Sequence, residues 1–377
     1  MDWQLTAEQR LARETCRRVL EQHCPLSRVR ELIGDPVGYD QETWTRGGAL
    51  GWYGMAVPAE YGGASVSAEP LVDLTIVAEE LGRMVHPGPF ASTNLVAAAL
   101  ARCGSADLRQ RYLPALVTGD VIGTWAGAPG APGAPGTASI TASAAPNGYV
   151  LHGISRYVVD APAVGVLLVT ASLSGRPVQF LLPAPAPGVR IEPLECLDLA
   201  RRTATVSFDG AVADAAAAMC TDHDGRGCVE RQLQLALVLQ CAETVGVADR
   251  GLELTVAYTR DRVAFGRPIG SYQALKHRMA AHRIRLEGAF AVTAYAARAV
   301  QHEQPDAAVA VRAAKAFVGK WATTILHDCV QLTGGLGMTW DYDLHLYFRR
   351  AISNEQLFGS PDEHCRSLVD LVAGWAA

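Results

Sequence analysis

The sequence predicts a mixed α+β chain made of a helical N-terminal domain, a middle β domain and a C-terminal helical bundle. Three observations support this order. Apolar residues recur at helical spacing in the first part, and short β-type runs separated by turn residues follow. Long apolar-periodic segments then fill the last part. We expect domains at residues 1–120, 121–215 and 216–377.

The first domain reads as a set of helices with turn-rich connections. Thr6-Ala7-Glu8-Gln9 has the form of a capping box, because Thr6 can accept from the amide of Gln9 while the Gln9 side chain reaches back. Residues 71–81 form another periodic run, and residues 95–100 are rich in alanine. A turn-rich connection at residues 56–63 precedes both runs.

The middle domain begins with a proline-rich segment and continues as short strands. Residues 127–136 repeat Gly-Ala-Pro three times, which is too short for a collagen helix and predicts a surface loop. Short strands at regular spacing predict a small barrel or sandwich of about 90 residues. The expected strands lie at residues 149–151, 157–159, 164–169, 178–182 and 203–208.

The last domain contains three long apolar-periodic segments at residues 232–258, 273–301 and 307–332. Segments of this length are typical of an antiparallel helical bundle.

Composition indicates an ordinary globular protein. Of 377 residues, 49% are hydrophobic and 19% charged, and the net charge is −5. Scattered Lys and Arg give no sign of nucleic-acid binding. Met1-Asp2-Trp3-Gln4-Leu5 does not resemble a signal peptide, and no apolar run of about 18 residues predicts a membrane span. We therefore expect a cytoplasmic protein with no membrane partner.

The cysteines and histidines predict no metal site. The nine cysteines include no C-x-x-C pair, which favours reduced thiols packed in a cytosolic protein. Histidines such as His277 and His282 belong to no H-E-x-x-H or similar motif.

Two motifs in the last domain carry a family resemblance. The segment from Tyr258 to Gln273 contains Arg-Val-Ala-Phe-Gly-Arg-Pro, and the segment from Gln331 to Gly335 is followed by Arg349. Together with the three-part order, these motifs resemble the acyl-CoA dehydrogenases over essentially the whole chain. The resemblance implies a tetramer, FAD held between subunits, and α,β-desaturation of an acyl-CoA thioester. In that reaction a glutamate removes the α-proton and the β-hydrogen leaves as hydride.

Six residues are candidate FAD-binding residues by this resemblance. Arginine is a permanent cation with a geometry suited to phosphate, and glycine lets backbone approach a ligand closely. Two simpler interpretations stay open: a surface cation at a helix end, and a plain helix-ending turn at the two glycines. The candidates are Arg262 and Gln273 for the pyrophosphate of the neighbour's FAD, Phe265 in the same motif, and Gln331, Gly334 and Gly335 beside its adenosine part.

Both positions that carry the catalytic glutamate in this family are apolar here. The usual Tyr-Glu-Gly-Thr tetrapeptide corresponds to residues 357–360, so that Phe358 stands at the glutamate position and Gly359 keeps the register. The less common position, near the start of the long helix before Arg262, is Ala236. Neither side chain can accept a proton.

The expected flavin-ring contacts in the β domain are altered as well. The family's Thr-Glu-Pro loop corresponds to the region of the Gly-Ala-Pro repeat. Its Trp-Ile-Thr-Asn segment, which lies beside the flavin ring, corresponds to residues 157–160, Tyr-Val-Val-Asp. The resemblance therefore implies that groups donated to a neighbour's FAD are kept while those for the chain's own flavin are changed.

Glu243 is the candidate catalytic base that remains in the long helix. It follows Ala236 by seven residues, on nearly the same helical face and roughly 10 Å along the axis. Burial would raise its pKa, as a general base requires. The alternative is a packing glutamate satisfied by hydrogen bonds or an arginine. Asp160 and Glu355 are weaker candidates.

Three functions remain open at this point. The first is the base-lacking accessory subunit of a heteromer, as found in some actinobacterial-type acyl-CoA dehydrogenases. The second is a self-sufficient dehydrogenase that uses an unusual base such as Glu243. The third is a repurposed flavin-dependent or acyl-CoA-binding protein. The implied partners are an acyl-CoA or acyl-carrier-protein thioester, identical or related subunits in a homotetramer or heterotetramer, and an electron-transfer flavoprotein.

Overall fold

A computed structural model of the chain describes residues 5–129, 140–220 and 225–373. The predicted order of helices, sheet and helices is confirmed. Helices change to strands between Thr118 and Gly123, and the last strand of the sheet ends at Met219, beyond the expected boundary at residue 215. The domain limits stay predictions.

Six helices form the N-terminal part. The capping box is present: the amide of Gln9 donates to the Thr6 hydroxyl at 3.2 Å, and the amide of Thr6 donates to the Gln9 side chain at 3.1 Å. The last of the six ends at Gly119, whose φ of 81° is typical of a glycine cap. They are α1 (Ala7–His23), α2 (Leu26–Leu32), α3 (Gln41–Ala49), α4 (Pro70–Arg83), α5 (Phe90–Cys103) and α6 (Ala106–Thr118).

The middle part is one eight-stranded sheet. Its order is β6-β7-β3-β2-β4-β5-β8, and β1 pairs in parallel with β4. The strands expected at 149–151 and 157–159 are two ends of the single strand β3, whose pairing with β7 shifts register between Ser155 and Val158. The strands are β1 (Gly123–Ala126), β2 (Ile140–Ala145), β3 (Gly148–Val159), β4 (Val166–Leu173), β5 (Arg176–Pro183), β6 (Val189–Leu194), β7 (Thr203–Asp214) and β8 (Ala218–Met219).

Four strands of this sheet, as described, were not predicted. Strands β1 and β8 have four and two residues, β2 is mostly alanine, serine and threonine, and β6 alternates charged and apolar residues. None of them shows a long β-branched run. The loop predicted at residues 127–136 falls mostly on residues 130–139, outside the described part of the chain.

The C-terminal part is a helical bundle whose three long helices match the predicted segments. Helix α7 has 37 residues and packs against α4, α8, α9 and α10, so its middle turns are buried on nearly all sides. A short antiparallel ribbon of β9 (Val263–Ala264) and β10 (Arg267–Pro268) joins α7 to α8. The helices are α7 (Gly225–Asp261), α8 (Gln273–Gln301), α9 (Ala307–Thr333), α10 (Leu344–Gln356) and α11 (Pro361–Ala373).

Among the helices of the described ranges, none is both long enough and apolar enough to cross a bilayer.

Two glycines allow α4 and α7 to lie in backbone contact. A Cβ atom on Gly82 would lie 2.1 Å from the carbonyl oxygen of Glu243. A Cβ atom on Gly246 would lie 2.0 Å from the carbonyl oxygen of Glu79. Side chains larger than hydrogen are therefore excluded where these helices cross. This close approach fixes the position of Glu243 relative to the N-terminal helices.

We predict that Gly82→Ala destabilises the fold because the new methyl group must push α4 away from α7. The expected loss in the free energy of unfolding is about 1–3 kcal/mol, measured by urea denaturation. Gly34→Ala is the control, because a Cβ there meets no atom within 4 Å. The control should change stability by less than about 0.5 kcal/mol. Equal effects of the two variants would contradict the proposed helix contact.

Candidate active site

A cleft lies between the N-terminal helices, the sheet and α7. Both apolar positions that correspond to the family's glutamate, Ala236 and Phe358, line it. The enclosed space is narrow, about 80 Å³. Other lining residues come from α4 (Ala78, Leu81), the segment after it (His86, Gly88), the start of α5 (Phe90, Ala91, Ser92), β1 (Thr124, Trp125), the end of β3 and the residue after it (Tyr157, Val158, Val159, Asp160), Arg201 and α7 (Leu239, Gln240, Glu243).

Phe358 is held in the cleft by its loop. The carbonyl of Phe358 accepts a hydrogen bond from the His364 ring at 3.0 Å, and its φ is 61°. Its ring stacks on Trp125 with the ring centres 6.3 Å apart. The Trp125 indole is anchored by donating to the Thr170 hydroxyl at 2.8 Å. A fixed aromatic pair therefore occupies the position where the family carries a carboxylate.

Glu243 lies in the cleft, but two arginines and an amide hold its carboxylate. Nη2 of Arg201 lies 2.7 Å from both oxygens, Nη1 of Arg350 donates at 2.6 Å, and Nδ2 of Asn354 donates at 3.1 Å. Burial alone would raise the pKa of Glu243, but the charges of Arg201 and Arg350 outweigh burial and lower the pKa to about 2.

The expectation of a raised pKa at Glu243 is therefore wrong. The sequence could not show that Arg201 and Arg350 converge on it from distant segments. A carboxylate fixed as an anion by two cations is a poor proton acceptor near neutral pH. The packing glutamate satisfied by arginine, which the sequence left open, describes the observed contacts.

Arg350 connects Glu243 to the rest of the cleft floor. Its guanidinium is 1% exposed and forms a second ion pair with Asp198, which is also 1% exposed. It donates to the backbone carbonyls of Val85 and His86 at 3.4 and 3.3 Å. The network therefore joins α7 and α10 to the segment after α4 and to the loop after β6.

Asp160 is the cleft carboxylate whose pKa shift suits a base. It follows β3 with a φ of 60° and accepts a hydrogen bond from the Ser92 hydroxyl at 2.7 Å. Burial raises its pKa to about 6, although Ser92, Arg201 and Arg350 act in the opposite direction. The sequence ranked Asp160 below Glu243 because no pattern indicates how deeply a residue after a strand is buried.

His86 is a cleft residue that sequence reasoning missed. It is 7% exposed, and neither ring nitrogen has a hydrogen-bond partner in the described part of the chain. Burial and the charge of Arg350 lower its pKa to about 4, so the ring is neutral near pH 7. A neutral imidazole offers one donor and one acceptor to a bound molecule. It belongs to no motif, so no sequence pattern indicates it.

Left-handed backbone conformations recur around the cleft. Tyr157, Asp160 and Phe358 have φ values of 57°, 60° and 61°, which are uncommon for residues other than glycine. Such conformations cost free energy and cluster at functional sites. Their position here is a structural reason to regard the cleft as the functional centre.

The six candidate FAD-binding residues are exposed on the surface of this chain and do not line the cleft. Gly334 has a φ of 66°, and a Cβ on Gly334 or Gly335 would meet no atom within 4 Å. Backbone there is open to a ligand. The Arg262 side chain forms no ion pair within the described residues, so its charge is available to a phosphate.

The ribbon that carries Phe265 is held rigid at its base. Phe265 is 96% exposed at the turn, with a φ of 53°. The Tyr272 hydroxyl donates to the carbonyl of Ala264 at 3.0 Å, and the Arg267 guanidinium lies 4.0 Å from the centre of the Tyr272 ring. Gln273 follows directly as the first residue of α8. These features fit FAD bound between this chain and a neighbouring subunit.

Comparison with known proteins decides the family. Models of the acyl-CoA dehydrogenase N-terminal and C-terminal domains match residues 6–120 and 223–371. The chain is 31% identical to acyl-CoA dehydrogenase IpdE2 of Mycolicibacterium smegmatis, over 97% of this chain and 98% of that protein. The chain belongs to the acyl-CoA dehydrogenase family. Acyl-CoA dehydrogenases are flavoprotein oxidoreductases that act on acyl-CoA, and their cofactor is FAD.

Two solved structures are similar to this chain over nearly its full length. The ChsE4–ChsE5 complex from Mycobacterium tuberculosis has 28% identity and a TM-score of 0.89, covering 99% of each chain. A variant of the steroid ACAD Tcur3481–Tcur3483 has 28% identity and a TM-score of 0.88, covering 98% of each chain. The whole of this acyl-CoA dehydrogenase therefore has the family fold.

We predict that Glu243 makes the fold acid-sensitive. Its pKa is about 2 in the folded protein against an ordinary value of 4.5. The resulting stabilisation, about 3 kcal/mol, is present above pH 4.5 and is lost as the pH falls toward 2. The free energy of unfolding of the wild type should therefore fall more steeply between pH 5 and pH 3 than that of Glu243→Gln.

At pH 7 the Glu243→Gln variant should be less stable by about 3–5 kcal/mol, because Arg201 and Arg350 lose their buried partner. Glu14→Gln is the control, since Glu14 is exposed on α1. Urea denaturation at each pH measures both effects. Parallel pH profiles for the wild type and Glu243→Gln would contradict the role assigned to the ion pairs.

Proposed function

We propose that this acyl-CoA dehydrogenase is the base-lacking accessory subunit of a heteromer. In that assembly it completes the FAD site of a related subunit that carries the base, and the pair desaturates an acyl-CoA between Cα and Cβ. One observation carries the proposal. Phe358, stacked on Trp125, occupies the base position, while Arg262 and the two glycines at 334–335 remain exposed for a neighbour's FAD.

The chemistry of the cleft supports the absence of a base. Ala236 and Phe358 have no titratable group, and the carboxylate of Glu243 is neutralised by Arg201 and Arg350. The hydroxyl that the family's Trp-Ile-Thr-Asn segment supplies is also missing, since Val159 stands at that position. Both the proton acceptor and a flavin-ring contact are thus changed within one cleft.

The surface around the FAD motifs supports a partner subunit. Large apolar side chains are exposed on the ribbon, on α8 and between α9 and α10, and exposed apolar surface often marks a protein–protein interface. An oligomer interface would bury these side chains and at the same time bring Arg262 to a neighbouring FAD. The exposed residues, with their exposed fractions, are Phe265 (96%), Ile284 (74%), Val263 (58%), Trp340 (57%) and Met338 (53%).

Solved relatives support the kind of assembly and of substrate. The ChsE4–ChsE5 structure is a complex of two named proteins, and Tcur3481–Tcur3483 is named a steroid ACAD. We extend the proposal to a bulky, ring-bearing acyl group of the steroid type. The match to the steroid ACAD supports this choice, whereas the space enclosed in this chain's own cleft, about 80 Å³, is too small for such a group. An electron-transfer flavoprotein as acceptor and a cytoplasmic location complete the proposal.

The first test is reductive titration of flavin. The purified chain, supplied with FAD under anaerobic conditions, should not bleach with any of a panel of straight-chain and ring-bearing acyl-CoAs. Co-expressed with a base-bearing family member from the same organism, it should form a complex that bleaches on adding the substrate. Bleaching by the chain alone would overturn the accessory role.

The second test removes the positive charge that Arg262 contributes to the neighbour's FAD in this proposal. Arg262→Ala in this chain should weaken FAD binding by the complex about 10- to 100-fold, because a charge-assisted hydrogen bond to phosphate is lost. Flavin fluorescence on dilution measures the loss. Arg366→Ala, which removes an exposed arginine on α11, is the control. Unchanged FAD affinity in Arg262→Ala would show that Arg262 is only a surface cation.

A self-sufficient dehydrogenase remains the second candidate, now through Asp160. Its raised pKa and position in the cleft are the specific observations in its favour. If the chain alone bleaches, Asp160→Asn should abolish bleaching while flavin stays bound. Glu243→Gln tests the base that the sequence favoured, in the same assay. Activity retained in Asp160→Asn would exclude Asp160 as the base.

A further inference from the structure

Three cysteines from distant parts of the sequence meet beside the cleft-forming helices. Cys103 ends α5, Cys220 follows β8, and Cys228 lies in the first turn of α7. Their three Sγ atoms lie within 4.8 Å of one another, and the Sγ atoms of Cys103 and Cys228 are 2.9 Å apart. No disulfide joins them. No sequence pattern indicates this cluster, because Cys220 and Cys228 are eight residues apart without a metal-binding motif and Cys103 lies more than 100 residues before them.

The backbone around the cluster is held in place. A Cβ atom on Gly225 would lie 2.1 Å from the carbonyl oxygen of Pro177, so the start of α7 is pressed against β5. Cys220 has a left-handed backbone with a φ of 55°, which turns the chain at the end of β8. The thiols of Cys220 and Cys228 are therefore directed by backbone constraints independent of the sulfur contacts.

Cationic side chains outnumber carboxylates around the cluster. Arg102 and Arg231 line a cavity of about 330 Å³ together with Cys103 and Cys228. Arg109 also lies close enough to Cys103 to act on its charge. Glu303 is the carboxylate near these cations and pairs with Arg102 at 2.7 Å. The net charge of these surroundings is positive, and it would offset the negative charge of a group of thiolates.

We propose that Cys103, Cys220 and Cys228 bind one Zn²⁺ ion through three thiolates, with a water molecule from the adjoining cavity as the fourth ligand. Thiolate sulfur is a preferred zinc donor. A tetrahedral site with Zn–S bonds of about 2.3 Å separates the sulfurs by about 3.8 Å. The observed sulfurs already lie inside 4.8 Å, and the Cys103–Cys228 pair has to separate by about 0.9 Å.

Charge and proton balance are consistent with this site. Binding replaces three S–H protons by one Zn²⁺, releases three protons to solvent and leaves a complex with a net charge of −1. The three arginines around the cluster compensate that charge. All three cysteines are partly exposed, so an ion can enter from solvent. No oxidation or reduction takes place.

The site would act as a structural link. It joins the end of α5 in the N-terminal part to β8 and the start of α7, at the junction of all three parts of the fold. Zinc binding would therefore stabilise the folded chain by mass action. This role is independent of whether the chain is an accessory subunit.

Zinc binding tests the proposal directly. The reduced, full-length protein is titrated with Zn²⁺ against a chromophoric chelator, and with Co²⁺ to record its absorption spectrum. We expect one Zn²⁺ per chain, a tetrahedral Co²⁺ spectrum with sulfur charge-transfer bands, and an increase in Tm of several degrees. Cys103→Ser, Cys220→Ser and Cys228→Ser should each lose the Tm increase and at least 10-fold in affinity.

The control is Cys365→Ser, which removes an exposed cysteine on α11 and should bind zinc as the wild type does. Circular dichroism of each variant establishes that it is folded. Zinc affinity equal in the wild type and in two or more folded cluster variants would overturn the proposal. So would isolation of the protein under thiol-reducing conditions with a Cys103–Cys228 disulfide that excludes zinc.

Discussion

The cleft depends on a buried ionic network centred on Arg350. This guanidinium is 1% exposed and pairs with Asp198 and Glu243, while Arg201 pairs with Glu243 from another side. Removing one partner from such a network costs about 3–5 kcal/mol, because an uncompensated charge stays buried. The same contacts join two helices of the bundle to the sheet and to the segment after α4. They therefore hold the cleft together and determine which of its carboxylates can accept a proton.

Because of this network, two carboxylates in the same cleft have different pKa values. Glu243 lies between two arginines and has its pKa lowered to about 2. At Asp160 burial outweighs the charges of the same two arginines and raises the pKa to about 6. The environment, rather than residue type, makes one a structural anion and the other a potential proton acceptor. The accessory-subunit proposal and its alternative through Asp160 differ on whether the second group is ever used.

The accessory-subunit proposal rests on a contrast between the cleft residues and the surface residues of this chain. Within the cleft, Phe358 and Trp125 fill space with aromatic rings, and Val159 has no hydroxyl to offer. On the surface, Arg262 and the glycines at 334–335 keep an open, cationic surface, which the proposed assembly uses to contact FAD held by another subunit. A chain whose contribution is made in trans needs only the second set.

The sequence by itself determined the order of the three parts, the long helices, the family motifs and the apolar residues at both base positions. Local periodicity, capping and spacing carry that information along the chain. Only the tertiary structure decided the ionisation of Glu243, the burial of Asp160 and His86, and the meeting of Cys103, Cys220 and Cys228. Each of these depends on contacts between segments far apart in sequence, which spacing within one segment cannot indicate. Short strands such as β8 were missed for the same reason, because their neighbours in the sheet, rather than their own residues, define them.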